Sequence, residues 1–185
     1  MRAFIFFIFF FLIFIKKYAI IYISNEERII KKMKIYLAGS CGIERRTEMQ
    51  RIAKELRKDY EVYCPFELKI ENAWDMSQEE WAQKVFDADV AAIDACDVVV
   101  LLSPGRVSTA GTNWEQGYAY AKGKPVYVIQ YTNEPASLMT YCGCADFHVS
   151  VPSEIDMSLA RAVRMIVANN QSCHFRKHPT SIILT

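Results

Sequence analysis

The chain has 185 residues, about half of them apolar and 23% charged, with a formal net charge of +1. That is the length and composition of one globular domain with a real core. Residues 1–32 hold six Lys and Arg against two acids, which leaves the remainder at −3; a mildly acidic domain without a basic stripe argues against a nucleic-acid polymer as partner, though not against a single small nucleotide.

In chain order, residues 3–15 come first, thirteen residues that are almost all Phe, Ile and Leu before Lys16 and Lys17. The run is short for a membrane span, which needs about 20 apolar residues, and it lacks a small-x-small cleavage site. Two readings remain open. One is a genuine targeting segment, a signal anchor through residues 3–24 in preference to a cleaved signal peptide. The other, preferred, is a native start at Met33, with residues 1–32 translated from upstream sequence rich in A/T codons. On that reading the protein is cytoplasmic, and membrane association follows only if residues 1–32 are genuine.

Residues 34–38 (KIYLA) read as a buried strand ended by Gly39 and Ser40. Met49, Ile52, Ala53 and Leu56 mark one face of a helix over 44–58. Residues 60–63 are the next strand, and 66–77 a loop. The pattern predicts a helix over 78–96 with Trp81, Val85, Ala88 and Ala92 inward. Residues 97–102 (DVVVLL) are a continuous apolar run of the kind that parallel sheets bury on both faces. A helix follows over 111–122, stopped by Gly123, then a strand at 125–130, a short helix at 135–141 and a strand at 147–149. Ser153 is the expected cap of a last helix with Leu159, Val163, Ile166 and Val167 inward, and a loose tail follows from about residue 170. The domain is thus bounded as 33–170, with an extension at 1–32 and a tail at 171–185.

Strands alternating with helices imply an α/β fold: a parallel sheet of about five strands with helices on both faces. Ligands of such sheets bind beyond the carboxyl ends of the strands, so the loops after Ala38, Leu102 and Gln130 are the places to look. The six cysteines are scattered and read as reduced thiols. Cys142, Cys144 and His148 lie close, but the CxC spacing is too tight for a zinc knuckle and a fourth ligand is not evident. No metal and no cofactor are expected. His148, His174 and His178 form no catalytic pattern. Of the tryptophans able to stack a base, Trp81 suits the core and Trp74, in a loop, is the more interesting.

Two segments could carry chemistry. Residues 39–42 (GSCG) suit a turn that lets backbone N–H groups approach an anion. Residues 111–119 (GTNWEQGYA) open a helix, and Glu115 in its first turns stays ionised at neutral pH, as a nucleophile must. A second carboxylate would assist the leaving group in glycosidic chemistry; Asp89 is the choice over Asp87, Asp94 and Asp97. Taken singly, each is also an ordinary turn, cap or surface residue.

Together, residues 34–40 (KIYLAGS), 89–102 (DVAAIDACDVVVLL), 111–126 (GTNWEQGYAYAKGKPV) and 137–139 (SLM) resemble the nucleoside 2-deoxyribosyltransferase family in order and spacing. The resemblance implies a flavodoxin-like fold and a covalent deoxyribosyl–enzyme intermediate. It assigns Glu115 as nucleophile, Asp89 as the group assisting proton transfer at the base, and Tyr36 as the residue that orients the nucleophile. It places Gly39 and Gly111 in the substrate loops. It also implies a homodimer or higher homo-oligomer, in which Ser137 and Met139 reach a neighbour's site.

Family transferases carry an acid six residues before the nucleophile and Asn-Leu-Met in the later segment. The related 2'-deoxynucleoside 5'-phosphate N-hydrolases carry hydroxyls there and a serine after the first-strand glycine. Thr109, Ser137 and Ser40 follow the second pattern, and hydroxyls donate to a phosphate that a carboxylate would repel. Arg45 or Arg46 could supply a counter-charge, although neither falls at the hydrolases' arginine position. The expected substrate is a small deoxynucleoside or its 5'-phosphate, with the sugar passed to a base or to water. The rival reading is a non-catalytic nucleotide-sensing module of the same fold.

Overall fold

The computed structural model describes residues 32–39, 46–107, 109–150 and 155–171. The chain divides into two units between Lys32 and Met33. The N-terminal extension, Ser40, Arg45, the Ser153 cap and the tail beyond Gln171 lie outside the described residues.

Five strands build the second unit: β1 (Lys34–Gly39), β2 (Glu61–Tyr63), β3 (Val98–Ser103), β4 (Val126–Gln130) and β5 (Asp146–Val149). Between and after them run α1 (Arg46–Leu56), α2 (Gln78–Ala95), α3 (Ala110–Ala121), α4 (Leu138–Cys142) and α5 (Ile155–Gln171). The strands form one parallel sheet in the order β2-β1-β3-β4-β5. This is the flavodoxin-like order, whose ligands bind where the winding reverses, beyond the ends of β1 and β3.

Pleating sends successive side chains to opposite faces. Ile35 and Leu37 of β1, with Val98, Val100 and Leu102 of β3, meet Met49, Ile52, Ala53 and Leu56 of α1 and Leu159, Val163, Ile166 and Val167 of α5. Tyr36, Ala38, Val99 and Leu101 point the other way, to Ile93 of α2 and Ala119 of α3. With both faces covered, every residue of β3 is buried, which is why its sequence shows no alternation. Asp97 aligns the strand starts: Lys34 N donates to its Oδ2 at 2.7 Å, and Asp97 N donates to Lys34 O at 2.9 Å.

Several elements differ from the expectation. The loop expected over 66–77 holds a short 3-10 turn, Ala73–Asp75, and the end of another, Pro65–Glu67. Asn170 belongs to α5 rather than to a loose tail; its Nδ2 donates to Asp146 Oδ2 at 2.7 Å. The stripe expected to face inward on α2 does so at one end alone. Ile93 is fully buried, whereas Trp81 is 45% and Phe86 47% exposed. An 18-residue helix is about 27 Å long and a six-residue strand about 20 Å. The first turns of α2, capped by Ser77 on Glu80 N, therefore overhang the sheet instead of packing on it. No helix of the described residues is long and apolar enough to cross a membrane.

Leu101 is completely buried on the face beneath α2 and α3, whereas Leu138 is 53% exposed. In urea unfolding, Leu101→Ala is expected to cost about 2–5 kcal/mol, and Leu138→Ala about 0.5 kcal/mol or less.

Candidate active site

The overhanging turns of α2 and the first turns of α3 enclose a cleft of about 330 Å³. Trp81, Val85, Phe86 and Asp89 line it from α2, and Gly111, Trp114 and Glu115 from α3. Both singled-out carboxylates thus face one space. Their competitors are engaged elsewhere: Asp87 accepts from Gln83, Asp94 from Tyr118 and Lys122, and Asp97 from the β1 backbone.

Tyr36 rises into this region from the middle of β1. It is fully buried, and its hydroxyl donates to Glu115 Oε1 at 2.8 Å. Glu115 is the sixth residue of α3, past the first turn where the helix dipole acts. Its carboxyl is not held ionised, as expected from the sequence, but pushed up to about 7. Burial is the main cause; the Tyr36 hydrogen bond opposes it, and the charge of Asp89 adds to it. Asp89 is also raised, by burial, against a hydrogen bond from Tyr63. Tyr36 holds its own proton far more tightly than a free phenol, because it is buried beside both acids.

The loop ends are tied together at this site. Thr112 is buried, and its hydroxyl donates to Gly39 O at 2.9 Å, joining the start of α3 to the end of β1. Thr109 is the N-cap of α3, accepting from Thr112 N. Since Thr112 gives its proton to Gly39, the 2.9 Å contact between the two threonine hydroxyls has Thr109 as donor. Donation from Thr109 to an anion therefore needs its hydroxyl to turn. Gly39 is where α1 comes closest, and a Cβ there would meet Met49 Cε at 2.7 Å. Arg46 is exposed and donates to Phe66 O at 3.1 Å.

Ser137 and Met139 do not join the cleft. They line a separate groove of about 500 Å³ between α3 and α4, together with Gln116, Gly117 and Tyr120. Met139 is 82% exposed. This groove is larger than the cleft but contains neither carboxylate. Two aromatic expectations exchange places: Trp74 is 99% exposed on its 3-10 turn and away from the cleft lining, and Trp81 lines the cleft instead of the core. Trp114, beside the glutamate in sequence, packs at 5.1 Å on Tyr118 and 5.0 Å on Phe86. Thr112 and Tyr63 escaped the sequence reading. The register partner of Tyr36 was the signal available for Tyr63, and it needs the strand order to be seen. Among the described residues, no group of three or more His, Cys, Asp or Glu is placed to hold a metal ion.

A flavodoxin-like sheet with a buried, tyrosine-bound carboxylate facing a second acid in one cleft has the make-up of an enzyme site for a small molecule. The chain belongs to the nucleoside 2-deoxyribosyltransferase family, whose model matches residues 35–171, and the chemistry of this family is cleavage or transfer at the N-glycosidic bond of nucleosides. A similar solved structure is the 2-deoxyribosyltransferase of the psychrotolerant bacterium Bacillus psychrosaccharolyticus, 26% identical, covering 62% of this chain and 84% of that one, with a TM-score of 0.50. Others are the Clostridium botulinum CMP N-glycosidase BcmB (17% identity, 72% and 98% covered, TM-score 0.45) and a conserved protein from Enterococcus faecalis V583 (27%, 53% and 63%, TM-score 0.41). No curated protein matches significantly.

Between pH 4.5 and about 7 the folded chain binds more protons at Glu115 than the unfolded chain does. Stability therefore falls as pH rises through that window. In thermal melts Glu115→Gln is expected to exceed the wild type at pH 8, with the gap narrowing by pH 5. A gap independent of pH would mean that Glu115 titrates normally.

Proposed function

We propose that this enzyme cleaves the N-glycosidic bond of a 2'-deoxynucleoside or its 5'-monophosphate through a covalent deoxyribosyl ester on Glu115. The observation that carries the reading is the buried Tyr36–Glu115 pair facing Asp89 in one aromatic cleft. An ionised Glu115 oxygen attacks C1' as the bond to the base nitrogen breaks. The bonding pair stays with the base, which takes a proton from Asp89. In the second half, water or another base attacks C1', its proton passes to Asp89, and the Glu115 carboxylate is released. Tyr36 orients the nucleophile and lowers its proton affinity; Trp81, Phe86 and Trp114 offer apolar walls to the base.

A non-catalytic sensor is the poorer reading. Burying a carboxylate to the point where it half protonates near neutral pH costs stability, and binding alone has no use for it. The hydroxyls support a phosphate: Thr109 stands at the N-terminus of α3, where free N–H groups favour an anion. The six residues from Thr109 to Glu115 span about 9 Å of helix, a length suited to a deoxyribose 5'-phosphate laid along it. Gly111, with open space beside it, leaves room for its approach; Gly39, whose Cβ side is taken by Met49, offers its backbone alone, and Ser40 adds a further hydroxyl on this reading. Water as the acceptor is the reading that goes with the hydroxyl pattern of Thr109, Ser40 and Ser137, which resembles that of the 5'-phosphate N-hydrolases.

Ser137 and Met139 fit the homo-oligomer reading. They lie outside their own chain's cleft, and an 82% exposed methionine beside an open groove suits contact with a second copy.

Incubation with a deoxynucleoside monophosphate and no acceptor base is expected to release free base. Glu115→Ala should lower that rate at least about 10³-fold, and a 2'-fluoro substrate should leave an adduct on Glu115 by intact mass. Base exchange confined to unphosphorylated nucleosides would overturn the substrate preference, and wild-type turnover by Glu115→Ala would overturn the mechanism. For the assembly, mixing Glu115→Ala with Ser137→Ala/Met139→Asp should restore activity that neither variant has alone; no recovery in hybrid oligomers would place Ser137 and Met139 outside the neighbour's site.

A further inference from the structure

Tyr36 does not act by itself on the sheet. Its register partner on β2 is Tyr63, and side chains directly opposite on neighbouring parallel strands point to the same face. The two rings stack, with centroids 5.4 Å apart and planes 18° apart. The Tyr63 hydroxyl donates to Asp89 Oδ1 at 2.9 Å, as the Tyr36 hydroxyl donates to Glu115 Oε1 at 2.8 Å. Two parallel phenols thus hold the two carboxylates, one each. We propose that Tyr63 is the positioning residue for Asp89, occupying Oδ1 so that Oδ2 is the oxygen that passes a proton to the departing base. The inference rests on the role given to Asp89 above.

The geometry makes Tyr63 more than a packing residue. Asp89 is only partly buried, between the exposed first turns of α2 and the buried Ile93, where a short carboxylate can turn about its side-chain bonds. One hydrogen bond from a ring pinned against the fully buried Tyr36 removes that freedom. The groups facing Asp89 are Tyr63 from β2, Tyr36 from β1 and Glu115 from α3. Burial and the neighbouring acids push both phenols well above their usual range, so neither tyrosine releases the proton; Asp89 does. As the C1'–N bond breaks, its electron pair goes to the ring nitrogen, which takes the proton from Oδ2. Asp89 becomes an anion, and Tyr63 already donates to it. The hydrogen bond therefore strengthens as charge develops, which is the condition for lowering the barrier.

The test is Tyr63→Phe, which keeps the ring stack and removes only the hydroxyl. On an ordinary deoxynucleotide, kcat should fall about 10- to 100-fold, with KM changed by about twofold or less. On the 7-methylguanine deoxynucleotide the base is already cationic and leaves without a proton. There the deficit should shrink to about twofold or less. Independently of turnover, carboxyl carbon NMR should show the Asp89 titration moving to higher pH in Tyr63→Phe, because the bond that favours the anion is gone. An equal loss on both substrates would overturn the proposal in favour of a packing role, as would wild-type kcat with an unmoved Asp89 titration. Failure of the underlying reading looks different: Glu115→Ala would retain turnover, while the Asp89 titration would still judge the hold of Tyr63 upon it.

Discussion

The site depends on one constraint: Glu115 is buried against a tyrosine hydroxyl rather than against a cation. A buried carboxylate with a cationic partner would be held ionised but electrostatically quenched. Held by the Tyr36 hydroxyl and by no cation among the described residues, Glu115 is pushed to about 7, so it is poised between an acid and a free nucleophile. The rest of the arrangement follows from supplying that hydroxyl rigidly. Tyr36 has to project from a strand, the strand has to lie under α3, and α3 has to begin close enough to β1 for its second turn to overlie the ring.

Thr112 meets the last requirement. Its buried bond to Gly39 O fixes the helix start to the strand end, and the closeness of α1 at Gly39 fixes the strand end in turn. Thr109 caps the same helix and contacts Thr112. Thr109, which the family resemblance ties to a phosphate, therefore also helps set the height of α3. Cap, strand end and carboxylate are thereby tied to one helix start.

Length mismatch produces the cleft. Because α2 outruns the sheet it covers, Trp81, Val85 and Phe86 have no core to enter and stand beside α3 instead. Apolar side chains that would be a liability on a free surface line a cleft instead, and on the proposed function they are the walls for a flat base. The same overhang explains why Asp89, one to two turns farther along α2, sits at the boundary between the solvent-facing turns and the buried Ile93.

The strands, the stripes on α1 and α5, and the candidacy of Glu115, Asp89 and Tyr36, which the fold brings together, were legible in the chain because they depend on periodicity and on residues in a fixed order. Burial of β3 on both faces leaves a continuous apolar run, and a run of that kind can be read directly. The proton affinity of Glu115, the roles of Trp74 and Trp81, the engagement of Thr109 and the whole contribution of Tyr63 were not legible. The affinity depends on how much water the fold removes, and a helix position alone suggested an ionised group. Trp81 keeps perfect helical spacing, yet spacing cannot say where a helix leaves the sheet. Tyr63 lies 27 residues from Tyr36 and 26 from Asp89, and only the parallel pairing of β1 with β2 sets the two rings side by side. The sequence by itself determined the order of strands and helices and brought Glu115, Asp89 and Tyr36 forward as candidates. Tertiary structure decided their protonation, their partners and which of them share a cleft, because desolvation and cross-strand register are properties of the assembled sheet and of no single segment.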